Sequence, residues 1–319
     1  MEDYKKLRLE YINNWPNSIP FQAENEYYKL IEEYKRTTNK IIFNPYKYNY
    51  SIDKEYNTVI SFIIDSLDVM PKYPNFAFEF IFRGIDTYSE KIYSTTEQLT
   101  ARIQNLIDNE FTSYLNNDKL CTVINELYKV MPNTTCQYLY SRLYGKFDTI
   151  KDVYSQTDKK TKQLFTRLLM RSNNKAKYSN LAQIFGFIAS QYGYDRSKYK
   201  ETIRNGSRLL YRIFNEDKID ISGITYDISF TDKLNLLIGG VLFTMRNDRA
   251  HGDGISSFKS SLASLKTYAH NYYCFLCCYI FLTLIMEEFS ESNEEKLTAN
   301  FKDNITRFSE IFGNKILKQ

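Results

Sequence analysis

The chain is poor in the residues that interrupt helices, with 11 Gly and 6 Pro in 319 residues. A sandwich or barrel of many short strands needs frequent turns, and turns draw on these two types, so such folds are disfavoured and a mainly helical chain is expected. Tryptophan occurs once, at Trp15, and histidine twice. The five cysteines are odd in number, and three of them (Cys274, Cys277 and Cys278) crowd one apolar stretch. That is not the dense framework of a small secreted domain. Neither sign of charge dominates: 42 Lys and Arg against 38 Asp and Glu leave +4. Any contact with nucleic acid must therefore rest on local clusters. No GxGxxG or GxxxxGK[ST] occurs, so a P-loop or dinucleotide fingerprint is unsupported, and no HExxH offers a metal site. The opening residues Met1-Glu2-Asp3-Tyr4-Lys5-Lys6 lack an apolar signal core, and a cytoplasmic location is expected.

Long apolar runs are also few. The run 272–286 is fifteen residues without a charge, ended by Glu287 and Glu288 and preceded by Lys266, His270 and Asn271. A bilayer span needs about 20 such residues. The expectation is a helix buried in a core or a subunit interface, with no membrane partner.

What is present is a globular composition, 43% hydrophobic and 25% charged, over a length that accommodates two domains. Apolar residues recur at helical spacing in 23–36, 55–70, 76–88, 96–109, 119–130 and 135–143, after a short opening helix and an irregular stretch with Pro16 and Pro20. Residues 149–177 are basic: Lys151, Lys159, Lys160, Lys162, Arg167, Arg171, Lys175 and Lys177 face only Asp152 and Asp158. Such a run is a solvated helix face or a phosphate-contacting surface. The polar segment at 172–178 gives the expected boundary between an N-terminal helical domain, 1–173, and a C-terminal helical domain, 174–319.

Beyond it, 180–192 and 198–214 are amphipathic. The second carries Arg204, Arg208 and Arg212 at i, i+4 and i+8, a basic stripe on one face. Period-two alternation of Ile219 and Ile221, then Ile224, Tyr226, Ile228 and Phe230, around Ser222-Gly223, predicts a small β-hairpin. A helix from about Asp232, capped by Thr231, to about Arg249 follows. Gly252 and Gly254 end it, and a long helix over 257–288 and an amphipathic segment at 300–311 complete the chain.

The motif that carries chemistry is Arg246-Asn247-Asp248-Arg249-Ala250-His251-Gly252, set between an apolar helix and a long apolar helix. It resembles the signature of the HEPN superfamily: an Arg, a polar residue that is often Asn, and a His after four to six intervening residues, placed between two long helices of a four- or five-helix bundle. Four residues intervene here. The resemblance covers about the last 140 residues. It implies a metal-independent endoribonuclease acting as a bacterial toxin or antiviral defence effector, with no cofactor, an RNA substrate, a homodimer, and an antitoxin or regulatory partner.

The chemistry is self-consistent. Attack of a ribose 2′-OH on the adjacent phosphate needs one proton removed and one delivered to the leaving 5′-oxygen, and imidazole titrates near working pH. A guanidinium meets two phosphorane oxygens at once. His251 is then the general acid or base, Arg246 stabilises the transition state, and Asn247 positions the phosphate or His251. Arg249, Asp248, Arg204 and Arg208 are secondary candidates for substrate binding. On an unbroken helix Arg246 and His251 stand about 140° apart, so the helix must end between them or a second subunit must complete the site. The apolar 272–286 helix offers such a dimer an interface to bury. The bland alternative is a helix C-terminus whose basic residues favour its dipole. A non-catalytic bundle for RNA or protein binding is the second functional reading.

Other constellations are weaker. The three clustered cysteines have no second ligand pair and suit a buried core. His270 reads as a partly buried histidine with a satisfied partner. The tyrosines of 46–50 are surface packing before they are a base-stacking platform.

Overall fold

The computed structural model describes residues 4–144, 159–169, 180–192, 196–250, 258–287 and 293–318. Within them the chain runs α1 (Tyr4–Asn13), α2 (Gln22–Thr38), α3 (Lys54–Val69), α4 (Pro74–Ile92), α5 (Leu99–Asn105), α6 (Asp118–Lys129), α7 (Asn133–Tyr144), α8 (Lys159–Leu169), α9 (Asn180–Tyr192) and α10 (Tyr199–Asn215). Strands β1 (Lys218–Ile221) and β2 (Ile224–Asp227) follow, then α11 (Phe230–Asn235), α12 (Phe243–Ala250), α13 (Leu265–Met286) and α14 (Glu294–Leu317). The fold is mainly α with one small antiparallel hairpin, as the scarcity of Gly and Pro predicts.

The chain forms two compact units, one of residues 1–85 with 246–319 and one of residues 86–245. The expected boundary at 173/174 lies outside the described residues. The limits of the units fall inside α4 and inside α12, with no polar linker at either.

The discontinuous unit is built around α13. Every residue from 268 to 286 is buried, because a helix apolar on all sides is stable in water only when surrounded. Its start is later than predicted: 258–264 is turn, and Ser264 precedes the first helical residue. One flank meets α14 through Tyr272 and Phe308 (ring centroids 5.5 Å apart), and another meets α2 through Tyr27 and Tyr268 (3.9 Å). The Tyr/Asn-rich loop after α2 covers a third flank. There Tyr272 donates to the Ile42 carbonyl at 2.9 Å and Tyr48 and Thr283 hydroxyls meet at 2.7 Å. The Asn304 amide both accepts from Asn44 N and donates to Asn44 O, each at 2.8 Å. Tyr48 is thus a packing residue, as its segment suggested, whereas Tyr50 is exposed. α13 is enclosed within its own chain, the core burial that was one of the two expectations for its apolar run.

In the continuous unit, α7 and α10 pack so closely that a Cβ on Gly206 would lie 2.0 Å from the Tyr140 ring. Only a residue without a side chain permits that approach. Ser222 (φ 51°) and Gly223 (φ 81°) form the two-residue turn of the hairpin, whose register pairs Ile219 with Tyr226 and Ile221 with Ile224. Both central residues adopt positive φ, as a turn matching strand twist requires. Ile219, Ile221 and Tyr226 point inward; Ile224 is exposed, and Phe230 begins α11 rather than extending the strand. Ser229, not Thr231, caps α11: its hydroxyl accepts from Asp232 N at 3.1 Å while the Asp232 carboxylate accepts from Ser229 N at 3.3 Å.

Two stretches expected as plain α-helix contain π-helical segments, Leu106–Phe111 after α5 and Leu236–Leu242 between α11 and α12. All seven residues of the second are buried. A π turn misaligns backbone carbonyls with their usual partners. Here Arg167 of α8 donates to the Gly239 carbonyl at 3.3 Å and to the Thr244 hydroxyl at 3.0 Å, with its guanidinium 4.7 Å from the Phe243 ring centroid. Arg167, part of the basic run, serves here as a pin for this segment.

Candidate functional site

The helix that bears the motif persists through Ala250, so Arg246, Asn247, Asp248 and Arg249 occupy its last turn. All four are half-buried. Arg246 Nη1 donates to the Asn247 amide oxygen at 3.2 Å. With that oxygen engaged, the amide NH2 of Asn247 has no hydrogen bond among the described residues. A guanidinium steadied by a neighbouring amide, beside a free amide donor, is a fitting receptor for an oxyanion.

Arg249 is placed otherwise. Its Nε is bonded to the Glu79 carboxylate, and its guanidinium lies 5.5 Å from the Phe76 ring centroid. Phe76 and Glu79 stand at i and i+3 on α4, so they share a face and hold the guanidinium between ring and carboxylate. Arg249, a secondary candidate for substrate binding in the sequence, thus has a partner in Glu79 of α4. Sequence reasoning had no means of selecting Glu79, which is remote in the chain.

His251 lies outside the described residues, as do Gly252 and Gly254. Both flanks of the segment 251–257 are nevertheless fixed. On one side stands the Arg249 anchor. On the other, Phe258 stacks on Tyr268 (3.9 Å, 6°), which stacks in turn on Tyr27 (3.9 Å, 16°). The next residue, Lys259, places its ammonium 3.5 Å from the Tyr11 ring centroid, a cation–π contact. The described residues Arg249, Phe258 and Lys259 thus all contact helices of one compact unit.

No family model, curated protein or solved structure matches this chain.

Arg204 and Arg208 lie on α10 in the other unit, both exposed and neither in an ion pair among the described residues. Arg212, the third member of the stripe, is bidentate to Glu216 (2.8 Å for each bond). Its hydrogen bonds to that carboxylate raise its pKa.

His270 is buried on α13, with Cys274 Sγ 3.8 Å from Nδ1. Burial lowers its pKa to about 4, so the ring is neutral at pH 7. Cys274, Cys277 and Cys278 are buried and free. Burial pushes all three thiols well up, so they remain protonated and lack the thiolate form that nucleophilic or metal chemistry requires.

Proposed function

We propose that the chain is a metal-independent, cytoplasmic endoribonuclease that cleaves RNA by attack of a 2′-OH on the adjacent phosphate. The observation that carries this reading is the hydrogen-bonded Arg246–Asn247 pair on the last turn of α12, one helical turn before His251 in the sequence.

His251 transfers a proton at one of the two reacting oxygens. In the attack, the 2′-oxygen loses its proton as it bonds to phosphorus; the P–O5′ bond breaks, and that oxygen leaves with a proton. The products are a 2′,3′-cyclic phosphate and a 5′-hydroxyl. Arg246 meets the charge that gathers on the non-bridging oxygens, and Asn247 fixes the guanidinium while its NH2 donates to the phosphate. One chain contributes one imidazole from this motif, so the second proton transfer falls to water or to a second copy. A homodimer accommodates the latter. The role implied by the resemblance is a toxin or antiviral effector that acts on cellular or invading RNA, controlled by an antitoxin or regulatory partner.

The direct test is incubation of the full chain with long RNA in EDTA beside His251→Ala and Arg246→Ala. Cleavage that survives EDTA, produces cyclic phosphate ends and is lost in both variants is expected. Cleavage retained by either variant sinks the assignment. RNA held tightly but left intact points to the non-catalytic binding module.

A further inference from the structure

The continuous unit has an open cavity of about 320 Å³ between α9, α10 and the hairpin, and its lining includes Phe187, Tyr192, Asn205, Arg208, Arg212 and Asp220. We propose that this cavity binds a nucleotide, with the base against Phe187 and Tyr192 and the phosphate on Arg208.

The charges assign the phosphate position. The Arg212 fork is filled by Glu216, and Asp220 accepts a hydrogen bond from the Thr225 hydroxyl across the hairpin. Arg208 is left as the cation of the lining with no ion pair among the described residues. An unpaired guanidinium beside a cavity is suited to a bidentate phosphate contact. Arg204, one turn away on the same face and likewise without an ion pair, extends the positive surface along the path of a strand.

The aromatic pair assigns the base. The Phe187 and Tyr192 rings stand 6.2 Å apart at 83°, so they are not stacked on each other and each keeps a face that its partner does not cover. Tyr192 is anchored through its carbonyl, which accepts from the buried Tyr140 hydroxyl. The Asn205 amide contributes a donor and an acceptor, the combination that reads a base edge. The volume sits at the lower end of the range for small-ligand sites, about 300–1,000 Å³, which fits one nucleotide. An acidic peptide would satisfy Arg208 but would leave the aromatic walls without a flat partner.

The inference stands apart from the nuclease reading, because the cavity and the motif belong to different units and binding is measured without cleavage. The experiment uses full-length His251→Ala protein, with AMP and a fluorescent 5′-phosphorylated RNA tetramer as probes. Arg208→Ala is expected to weaken binding about tenfold and to lower its salt dependence. Phe187→Leu is expected to weaken it about fivefold or more through lost stacking. Lys218→Ala, an exposed cation on the hairpin, stays within about twofold in the same assay. Binding of the tetramer alone assigns the cavity to an RNA strand, and binding of AMP alone to a free nucleotide. Mutual displacement shows one site open to both. Failure of both probes to bind at millimolar concentration overturns the proposal, as does parental affinity in both Arg208→Ala and Phe187→Leu. Inorganic phosphate competing as well as AMP, with Phe187→Leu unchanged, also overturns it. Cleavage without binding here would leave the nuclease reading intact and remove only this site.

Discussion

The Arg249 guanidinium is bound to the Glu79 carboxylate, two side chains 170 positions apart in the sequence. The pair divides the basic residues of the motif into an anchor, Arg249, and a candidate catalytic cation, Arg246. Substitution of the two should therefore separate stability from activity. Arg249→Ala is expected to cost about 1–2 kcal/mol of folding stability, between the values for exposed and buried pairs, with cleavage reduced less than tenfold. Denaturant titration beside a cleavage assay checks this. A stable Arg249→Ala protein with no activity would assign Arg249 to the reaction.

Arg246→Ala is expected to lower the cleavage rate by about 10²–10³-fold, the usual cost of losing a charge that stabilises a transition state. Arg246→Lys should recover only part of it, because an ammonium cannot form the planar two-point contact. Single-turnover rates at saturating RNA read this loss without interference from binding.

Acid should unfold the protein in part through His270. Its folded pKa of about 4 lies below the ordinary value of 6.5. The unfolded chain therefore takes up the proton first, and stability falls as pH drops from about 6.5 to 4. The loss amounts to about 3 kcal/mol by pH 4. Thermal melts at pH 7 and 4.5 should show a smaller difference in His270→Gln than in the parent. An unchanged pH dependence would place the acid sensitivity elsewhere.

Gly206→Ala should destabilise the continuous unit by about 1–3 kcal/mol or more. The added methyl meets the ring of Tyr140, which is buried and held by its hydroxyl at the end of α9. Hydrogen exchange should show the loss in α7 and α10 first. Parental stability in this variant would mean that the ring yields.

The hydroxyls of Tyr27 and Tyr268 are buried with no hydrogen-bond partner among the described residues. Burial is the leading cause of the raised pKa of each. Removing such a group without changing ring shape is nearly neutral or stabilising. Tyr27→Phe is expected to raise stability by up to about 1 kcal/mol in a denaturant titration. A marked loss would reveal a bond that this geometry lacks.

Residues whose environment is set by near neighbours were legible in the sequence. The alternation around Ser222-Gly223 located the hairpin, and helical periodicity located α2, α3, α6, α7, α9 and α10 to within a few residues. The apolar run in α13 announced burial, yet could not say whether its cover came from the same chain. The π segment 236–242 left no trace, because a stretch apolar at every position looks the same at any helical period. Nor could the union of residues 1–85 with 246–319 be read, since each part presents an ordinary amphipathic pattern by itself. The motif was visible because its members are adjacent. Glu79, Phe76 and the cavity beside Arg208 depend on contacts remote in sequence and were missed.

The split origin of the α13 unit bears on how the chain is made. Synthesis delivers α2 and α3 early, each with a buried apolar face, but α13, on which α2 packs, only after residue 265. Residues 86–245 arrive together and can close first, since units complete in the chain tend to fold as they emerge. Ribosome-held chains ending near 250 should resist protease in the middle third while their first 85 residues are cut, leaving those early helices dependent on a chaperone until α13 appears.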